Sequence, residues 1–241
     1  MRAPTDSPST ITRLGLAWGV HLFTASGAVV GALALLSVLN GALNHAALLM
    51  LVALFIDAVD GSLARAVGVR EILPNVDGRR LDDIVDYLNF VIVPVVFMAS
   101  SGCLPGWEWV ALPILASAYG FSQAAAKTDD DFFLGWPSYW NVVALYCWLL
   151  DLSTATGVFW VVVCSLAIFL PFKYVYPSKV KRPIFKRTLT IGGFAWAGLL
   201  GLTILEPNLS ARLHLVEISY AYLVYYMGLS VWLGDWKRGW K

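Results

Sequence analysis

Charged residues are scarce in this sequence. Lysine, arginine, aspartate and glutamate make up 14% of the 241 residues, whereas soluble domains carry roughly a quarter. A soluble chain of this length could bury one large core, but it would still need a charged surface. The apolar share of 59% leaves too few charges to form one. The composition therefore argues against an ordinary soluble domain and predicts a polytopic membrane protein.

Cysteine is rare as well, with three in the chain. Cys147 and Cys164 lie inside apolar runs, Cys103 stands alone, and no CxxC spacing occurs. This pattern argues against a disulfide framework or a zinc site, so we interpret all three as small hydrophobic residues. The net charge of +1 gives no indication of nucleic-acid binding, because the basic residues are confined to short loops.

The fold predicted from the apolar segments is an all-α integral membrane protein, a bundle of about eight transmembrane helices with both termini in the cytoplasm. Each segment is close to the roughly 20 residues that a helix needs to cross the hydrocarbon core. We expect a flexible N-terminal tail over residues 1–12 and a single transmembrane domain over 13–241. The segments cover approximately residues 16–39, 44–65, 79–101, 107–126, 137–152, 156–173, 188–206 and 213–234.

The basic residues predict the orientation of these helices. With eight spans and an inner N-terminus, only Arg212 among the lysines and arginines falls on the outer side, which is a strong positive-inside bias. The inner side then holds Arg2, Arg13, Arg65, Arg70, Arg79, Arg80, Lys127, Lys173, Lys179, Lys181, Arg182, Lys186, Arg187, Lys237, Arg238 and Lys241.

Two acidic strips interrupt the apolar pattern at the predicted cytoplasmic ends of neighbouring helices. The strip DAVDGSLAR closes the second segment and places Asp57 and Asp60 three residues apart, on one helical face. The strip GRRLDDIVD opens the third segment and places Asp82 and Asp86 four apart, again on one face, whereas Asp83 points elsewhere. A carboxylate inside a membrane is costly, so we expect a functional reason for four of them.

Small residues accompany the aspartates on both faces, and they allow a backbone or a ligand to approach closely. They are Gly61, Ala64 and Gly78. Several carboxylates in a low-dielectric wall repel one another unless cations bind there. Oxygen ligands suit magnesium or manganese, and two such ions are a common clamp for displacement at phosphorus. The alternative is a structural cluster in which the aspartates pair with arginines of the intervening loop.

Together the two strips resemble the signature of the CDP-alcohol phosphotransferase family, DxxDGxxAR…GxxxDxxxD. Every fixed position is filled, from Asp57 to Arg65 and from Gly78 to Asp86. The resemblance implies an integral membrane enzyme that moves a phosphatidyl or phosphoalcohol group from a cytidine diphosphate carrier to an alcohol and releases CMP.

A longer linker than the family usually has, and eight predicted spans, resemble its bacterial phosphatidylcholine synthase branch. The stretches AWGVHLFTASG, FFLGWPSYWNVVALY and KYVYPSK extend this resemblance along most of the chain. The branch implies the substrates CDP-diacylglycerol and choline and two Mn²⁺ or Mg²⁺ ions. It also implies the bacterial inner membrane, an active site on the cytoplasmic side and, by family resemblance, a homodimer.

The resemblance also implies residue roles. Asp57, Asp60, Asp82 and Asp86 would hold the metal ions, and Asp86 would act as the general base that takes the proton from the choline hydroxyl. The residues implied in CDP-diacylglycerol binding are Asp57, Gly61, Ala64, Arg65, Gly78, His21 and Thr24. For His21, packing against a neighbouring helix is an equal alternative to a cytidine contact.

Choline raises a separate requirement, because its quaternary ammonium group has no hydrogen to donate. Such groups are commonly recognised by aromatic rings through cation–π attraction. We therefore expect choline contacts among Tyr119, Trp136, Tyr139 and Trp140, which cluster at the predicted inner ends of the fourth and fifth helices. An interfacial aromatic belt is the alternative for each of them.

Other functions stay open at this point. The acceptor could be serine, glycerol phosphate or an inositol compound, each of which brings an anionic group. A proton- or metal-coupled transporter would also place acids inside helices, although it would more often show broken helices or inverted repeats near the membrane midplane. CMP release coupled to lipid formation would separate an enzyme from a transporter.

Overall fold

Helices occupy all eight of the predicted apolar segments. The computed structural model describes residues 10–128 and 130–234. The helices of the first half are α1 (Thr10–Leu39), α2 (Leu43–Val67), α3 (Val69–Ile72), α4 (Gly78–Asp86), α5 (Val93–Ser100) and α6 (Ala111–Ser122). Those of the second half are α7 (Trp140–Leu149), α8 (Thr154–Ala167), α9 (Pro183–Leu205), α10 (Pro207–Leu213) and α11 (Leu215–Leu233). Short 3₁₀ turns cover Trp107–Val110 and Pro177–Lys179.

Four helices of the described residues are long and apolar enough to cross a membrane: Thr10–Leu39, Leu43–Val67, Gly78–Ser100 and Pro183–Leu205. The shorter apolar helices α7 and α8 have 10 and 14 residues. An all-α membrane protein is therefore supported, whereas eight crossings and cytoplasmic termini stay predictions. Residues 1–9 of the predicted tail lie outside the described residues, and residues 10–12 already belong to α1.

Strand pairing is a feature that the all-α prediction missed. Strand β1 (Phe132–Leu134) pairs antiparallel with β2 (Lys173–Val175), and Phe133 lies opposite Tyr174. The predicted sixth segment ran to residue 173, but α8 ends at Ala167 and Pro171 cannot continue a helix. The loop after α6 and the loop after α8 are thus joined by backbone hydrogen bonds next to the acidic strips.

Close helix contacts fix the position of the third long helix, which runs as α4, a π turn (Tyr87–Ile92) and α5. Helix α1 packs along α2 and crosses α4 and the following π turn at two glycines. A Cβ atom at Gly27 would lie 2.7 Å from Val85, and one at Gly31 would lie 2.6 Å from Asn89. The Asn89 amide donates to the Gly27 and Val85 carbonyls at 2.9 and 3.1 Å. Glycine here lets the two helices touch directly beside the acidic face.

The remaining helices form a common core with this unit. Helix α5 packs against α7, α6 against α8, and α9 against α11 and α2. The cysteines are buried and unpaired, as expected from the sequence. The largest fully buried side chains include Trp140, Phe97, Met98 and Leu145.

Candidate active site

Three aspartates from two helices converge at the cytoplasmic ends predicted for α2 and α4. One carboxylate oxygen each of Asp57, Asp82 and Asp86 lies within 4.8 Å of the other two. We call these three residues the acidic triad. The sequence predicted this convergence from helical spacing, and the structure brings the three side chains together in a partly buried position.

Local signals place each half of the triad. Helix α2 continues past Asp57 to Val67 and ends at Gly68, whose φ of 72° is left-handed and whose N–H donates to the Ala64 carbonyl. Helix α4 is capped at its N-terminus by Asp77, whose side chain accepts hydrogen bonds from the N–H groups of Arg79 and Arg80 at 3.1 and 3.3 Å. A π turn follows Asp86 immediately, and such turns are frequent at functional sites.

Asp60 lies on the same side of α2 but outside the triad. Its side chain is buried, with 5% exposed, and it lies beside the hydroxyl of Thr24 on α1. The structure thus brings together two residues, Asp60 and Thr24, that the family resemblance assigns to metal and nucleotide. We call the triad together with Asp60 the acidic wall.

Lys127 adds a positive charge to this acidic cluster. Its ammonium lies 3.1 Å from the Asp83 carboxylate and 3.9 Å from that of Asp82. Burial lowers the pKa of Lys127, but the neighbouring Tyr176, Asp83 and Asp82 outweigh burial and raise that pKa above its ordinary value. Lys127 is therefore charged at neutral pH and balances part of the negative charge. Asp83 is outside the triad and binds this lysine, although it lines the same cavity.

A cavity of about 570 Å³ adjoins the acidic wall, which is within the usual range for small-molecule sites. Its lining combines carboxylates with four basic side chains and a set of aromatic rings. The charged lining residues are Asp57, Asp60, Asp82, Asp83, Asp86, Arg65, Arg79, Lys127 and Lys186. This mixture suits a ligand with both negative and positive groups.

Several elements contribute aromatic rings to the lining, and one group of these rings comes from the segment before α7 and from α9 and α11. We call Trp136, Tyr139, Trp196, Tyr222 and Tyr226 the aromatic wall. Tyr139 lies close enough to Asp57 for the carboxylate charge to act on its hydroxyl, so the two walls adjoin.

Two of the four aromatic residues predicted for choline lie elsewhere. Trp136 and Tyr139 line the cavity. Trp140 is fully buried, and its indole N–H donates to Ser117 at 2.8 Å. Tyr119 is 49% exposed and stacks on Phe169, outside the lining.

The predicted nucleotide residues surround the acidic wall without all facing the cavity. Gly61 and Arg65 line it, and the Arg65 guanidinium lies 3.3 Å from the position of a Cβ atom on Gly61. Ala64 packs towards α1. The His21 ring lies 3.1 Å from where a Cβ atom on Gly78 would be, so a larger residue at position 78 would displace the histidine.

The donor set of the triad fits a hard divalent cation. Adjacent oxygens around one Mg²⁺ lie about 3.0 Å apart and opposite ones about 4.2 Å apart, because each Mg–O distance is about 2.1 Å. The triad oxygens lie within 4.8 Å of one another, so side-chain rotations would bring them to these distances. Carboxylate oxygens are also the ligands that magnesium and manganese prefer.

Sequence reasoning missed several lining residues because they come from distant loops and from the start of α7. Lys127, Asn141 and Tyr176 line the cavity, and the charges of the triad reach the Tyr176 hydroxyl. Tyr176 stacks on Phe133 of β1, so the sheet holds it in place. The only signal was that Asn141 and Tyr176 fall in stretches that resemble the family.

Sequence comparison finds relatives that match most of the chain. The chain is 41% identical over 206 residues to the phosphatidylcholine synthase of Legionella pneumophila, a match that covers 83% of this chain and 80% of that protein. It is 32% identical over 232 residues to that of Pseudomonas aeruginosa, covering 95% and 96%. It is 40% identical over 172 residues to that of Borreliella burgdorferi, covering 69% and 73%.

The sequence signature that contains the four aspartates of the acidic wall lies within a longer stretch that matches a family model. The family model described as CDP-alcohol phosphatidyltransferase matches residues 20–216, from α1 into α11. That span includes every residue of the acidic and aromatic walls except Tyr222 and Tyr226. The chain therefore belongs to the CDP-alcohol phosphatidyltransferase family.

Proposed function

We propose that this membrane enzyme transfers the phosphatidyl group of CDP-diacylglycerol to choline and releases CMP. The observation that carries the proposal is the cavity itself, in which a carboxylate triad and an aromatic wall adjoin. The relatives named phosphatidylcholine synthase support the choice of acceptor.

The four aspartates of the acidic wall would hold two Mn²⁺ or Mg²⁺ ions. Such ions supply positive charge to the pyrophosphate of the substrate and to the departing CMP. Arg65 lines the same cavity, and its guanidinium can pair with a phosphate oxygen. Gly61 lines the cavity beside it, and a Cβ atom there would lie 3.3 Å from the guanidinium.

In the proposed reaction, Asp86 accepts the proton of the choline hydroxyl, and the oxygen attacks the phosphorus that bears diacylglycerol. The bond that forms joins the choline oxygen to this phosphorus. The bond that breaks is the phosphoanhydride bond between this phosphorus and CMP. The position of Asp86 in the triad, on the cavity, supports this role.

The remaining predicted contacts enter the proposal with different support. His21 and Thr24 are assigned to the nucleotide, supported by the buried His21 ring against Gly78 and by Thr24 beside Asp60. Trp136 and Tyr139 are assigned to choline because they line the cavity. Ala64, Tyr119 and Trp140 stay predictions from the sequence. We further propose the bacterial inner membrane, a cytoplasmic active site and a homodimer, all from family resemblance.

The test is CMP release by purified protein in detergent, given CDP-diacylglycerol, Mn²⁺ and one alcohol at a time. We expect release with choline that disappears with chelator and in Asp86→Asn. Release with serine or glycerol phosphate instead would support the assignment of the active site but contradict choline as the acceptor. No release with any alcohol, from protein with an intact thermal transition, would contradict the proposal and favour a transporter.

A further inference from the structure

Asn141 carries an unsatisfied polar atom at the cavity. It lies in the first turn of α7, is 1% exposed and lines the cavity. Its Oδ1 atom has no hydrogen-bond partner among the described residues. Native proteins rarely leave a buried carbonyl oxygen unpaired, and each such atom calls for an explanation. A bound ligand that contacts this oxygen would supply one.

Three aromatic side chains of the cavity lining have used their hydrogen-bond donors inside the protein. The Tyr226 hydroxyl donates to the Val175 carbonyl at 3.0 Å, and the Tyr222 hydroxyl donates to the Leu189 carbonyl at 3.1 Å. The Trp196 indole N–H donates to the Tyr146 hydroxyl at 2.9 Å. Towards a ligand these three side chains therefore offer ring surface rather than N–H or O–H groups.

The same wall lies next to the position of the reaction. Tyr139 packs edge-on to Tyr226, with ring centroids 6.0 Å apart, and it lies near the Asp57 carboxylate. In choline only two carbon atoms separate the hydroxyl oxygen from the nitrogen. An acceptor whose hydroxyl approaches the triad therefore brings its ammonium group to the neighbouring wall.

We propose that the quaternary ammonium group of the acceptor binds between Tyr139, Tyr226 and Asn141, with the Asn141 amide oxygen facing its N-methyl groups. This inference rests on the proposed function. The rings attract the cation through their π faces, and the polarised methyl groups make weak C–H···O contacts to the amide oxygen.

The chemistry of this subsite discriminates against other acceptors. A primary ammonium group has three N–H donors, and Asn141 offers it one carbonyl oxygen. Serine and glycerol phosphate carry anionic groups that need N–H or O–H donors. The donors of Tyr222, Tyr226 and Trp196 are committed inside the protein. An anionic group would therefore have to turn to basic side chains of the lining such as Arg65 and Lys127. A trimethylated nitrogen has no N–H group, so its binding here leaves no hydrogen-bond donor of the ligand without a partner.

The test measures the KM for choline at saturating CDP-diacylglycerol in Asn141→Leu and Tyr139→Leu. We expect an increase of about tenfold or more in each variant, from the loss of a desolvated cation contact. The KM for CDP-diacylglycerol should stay within about twofold of the wild-type value. A larger change in that KM would mean that the substitution damages the whole site. Tyr225→Leu is the matched control, because Tyr225 neighbours Tyr226 but contacts Thr188 outside the cavity.

A neutral probe separates charge from shape. The alcohol 3,3-dimethylbutan-1-ol has the outline of choline without the positive charge. Wild-type protein should prefer choline strongly, and Tyr139→Leu should reduce that preference. An equal preference in both proteins would overturn the cation–π part of the proposal.

Thermal unfolding distinguishes a ligand contact from a structural role of Asn141. Because Oδ1 is unpaired, Asn141→Leu should unfold at the same or a higher temperature than wild type. A lower unfolding temperature with reduced kcat and an unchanged KM for choline would overturn the inference. Turnover of choline with an unchanged KM in both variants would contradict the proposed ammonium-binding subsite but not the proposed function. Absence of turnover with choline in the wild type would overturn the proposed function as well.

Discussion

At the scale of single residues, the acidic triad gathers negative charge that a metal ion would neutralise. We predict that Asp82→Asn reduces CMP release at least about a hundredfold, because it removes a metal ligand. In chelator the same variant should unfold at a temperature about 2–4 °C above wild type, since one repulsion disappears. Both quantities are measured on detergent-purified protein.

Glu217→Gln is the matched control for this carboxylate change. Its side chain is 61% exposed and pairs with His214, away from the cavity. We expect unchanged activity and unfolding temperature. A chelated Asp82→Asn protein that is less stable than wild type would contradict the role of repulsion.

Lys127 leads to a second residue-scale prediction. Lys127→Met removes the positive charge beside Asp82 and Asp83. The chelated protein should lose about 1 kcal/mol of unfolding free energy, while the dissociation constant for Mn²⁺ falls because a competing cation is gone. Thermal unfolding across a Mn²⁺ titration measures both, with the exposed Lys181→Met as control. Weaker Mn²⁺ binding would mean that Lys127 holds Asp82 in its binding position.

Some of these site residues could be predicted from the sequence, and others could not, for physical reasons. Asp57, Asp82 and Asp86 are predictable because helical spacing fixes which side chains share a face. Lys127 and Asn141 are not, because their approach to the triad depends on how separate loops and helices pack. Tyr119 and Tyr139 look alike in the sequence, yet only Tyr139 lines the cavity.

At the scale of elements, the crossing of α1 with α4 controls the position of the triad. Gly27→Ala would place a methyl group 2.7 Å from Val85. We predict a loss of about 1–3 kcal/mol in unfolding free energy, together with reduced CMP release as α4 shifts. Gly19→Ala on the same helix is the control, because nothing lies within 4 Å of that position. Equal effects of the two substitutions would contradict a specific role for this crossing.

The boundaries of the long apolar helices could be predicted from hydrophobicity. The long helices agree with the predicted segments to within a few residues, apart from the earlier starts of α1 and α9. The sheet was missed because β1 and β2 have three residues each and lie about forty residues apart in sequence. The π turn after Asp86 was missed because its residues, YLNFVI, are apolar enough for an ordinary helix.

At the scale of the whole molecule, the loop charges predict which surface faces the cytoplasm. Cysteines introduced at Lys181 and Asn208, both exposed, should lie on opposite sides of the membrane. In intact cells a membrane-impermeant maleimide should label Asn208→Cys alone. Lys181→Cys should react only after the membrane is opened. The three native cysteines are buried and should react little. Labelling of both positions from outside would contradict the eight-span topology.

The short helices have a consequence for the surrounding lipid. At 1.5 Å per residue, α7 and α8 are about 15 and 21 Å long, whereas the hydrocarbon core is about 30 Å thick. Helix α8 presents Phe159, Trp160 and Leu166 at the surface. A crossing by α8, as the sequence predicts, would thin the adjacent bilayer through hydrophobic mismatch. Lipid headgroups beside α8 would then lie closer to the membrane midplane than elsewhere.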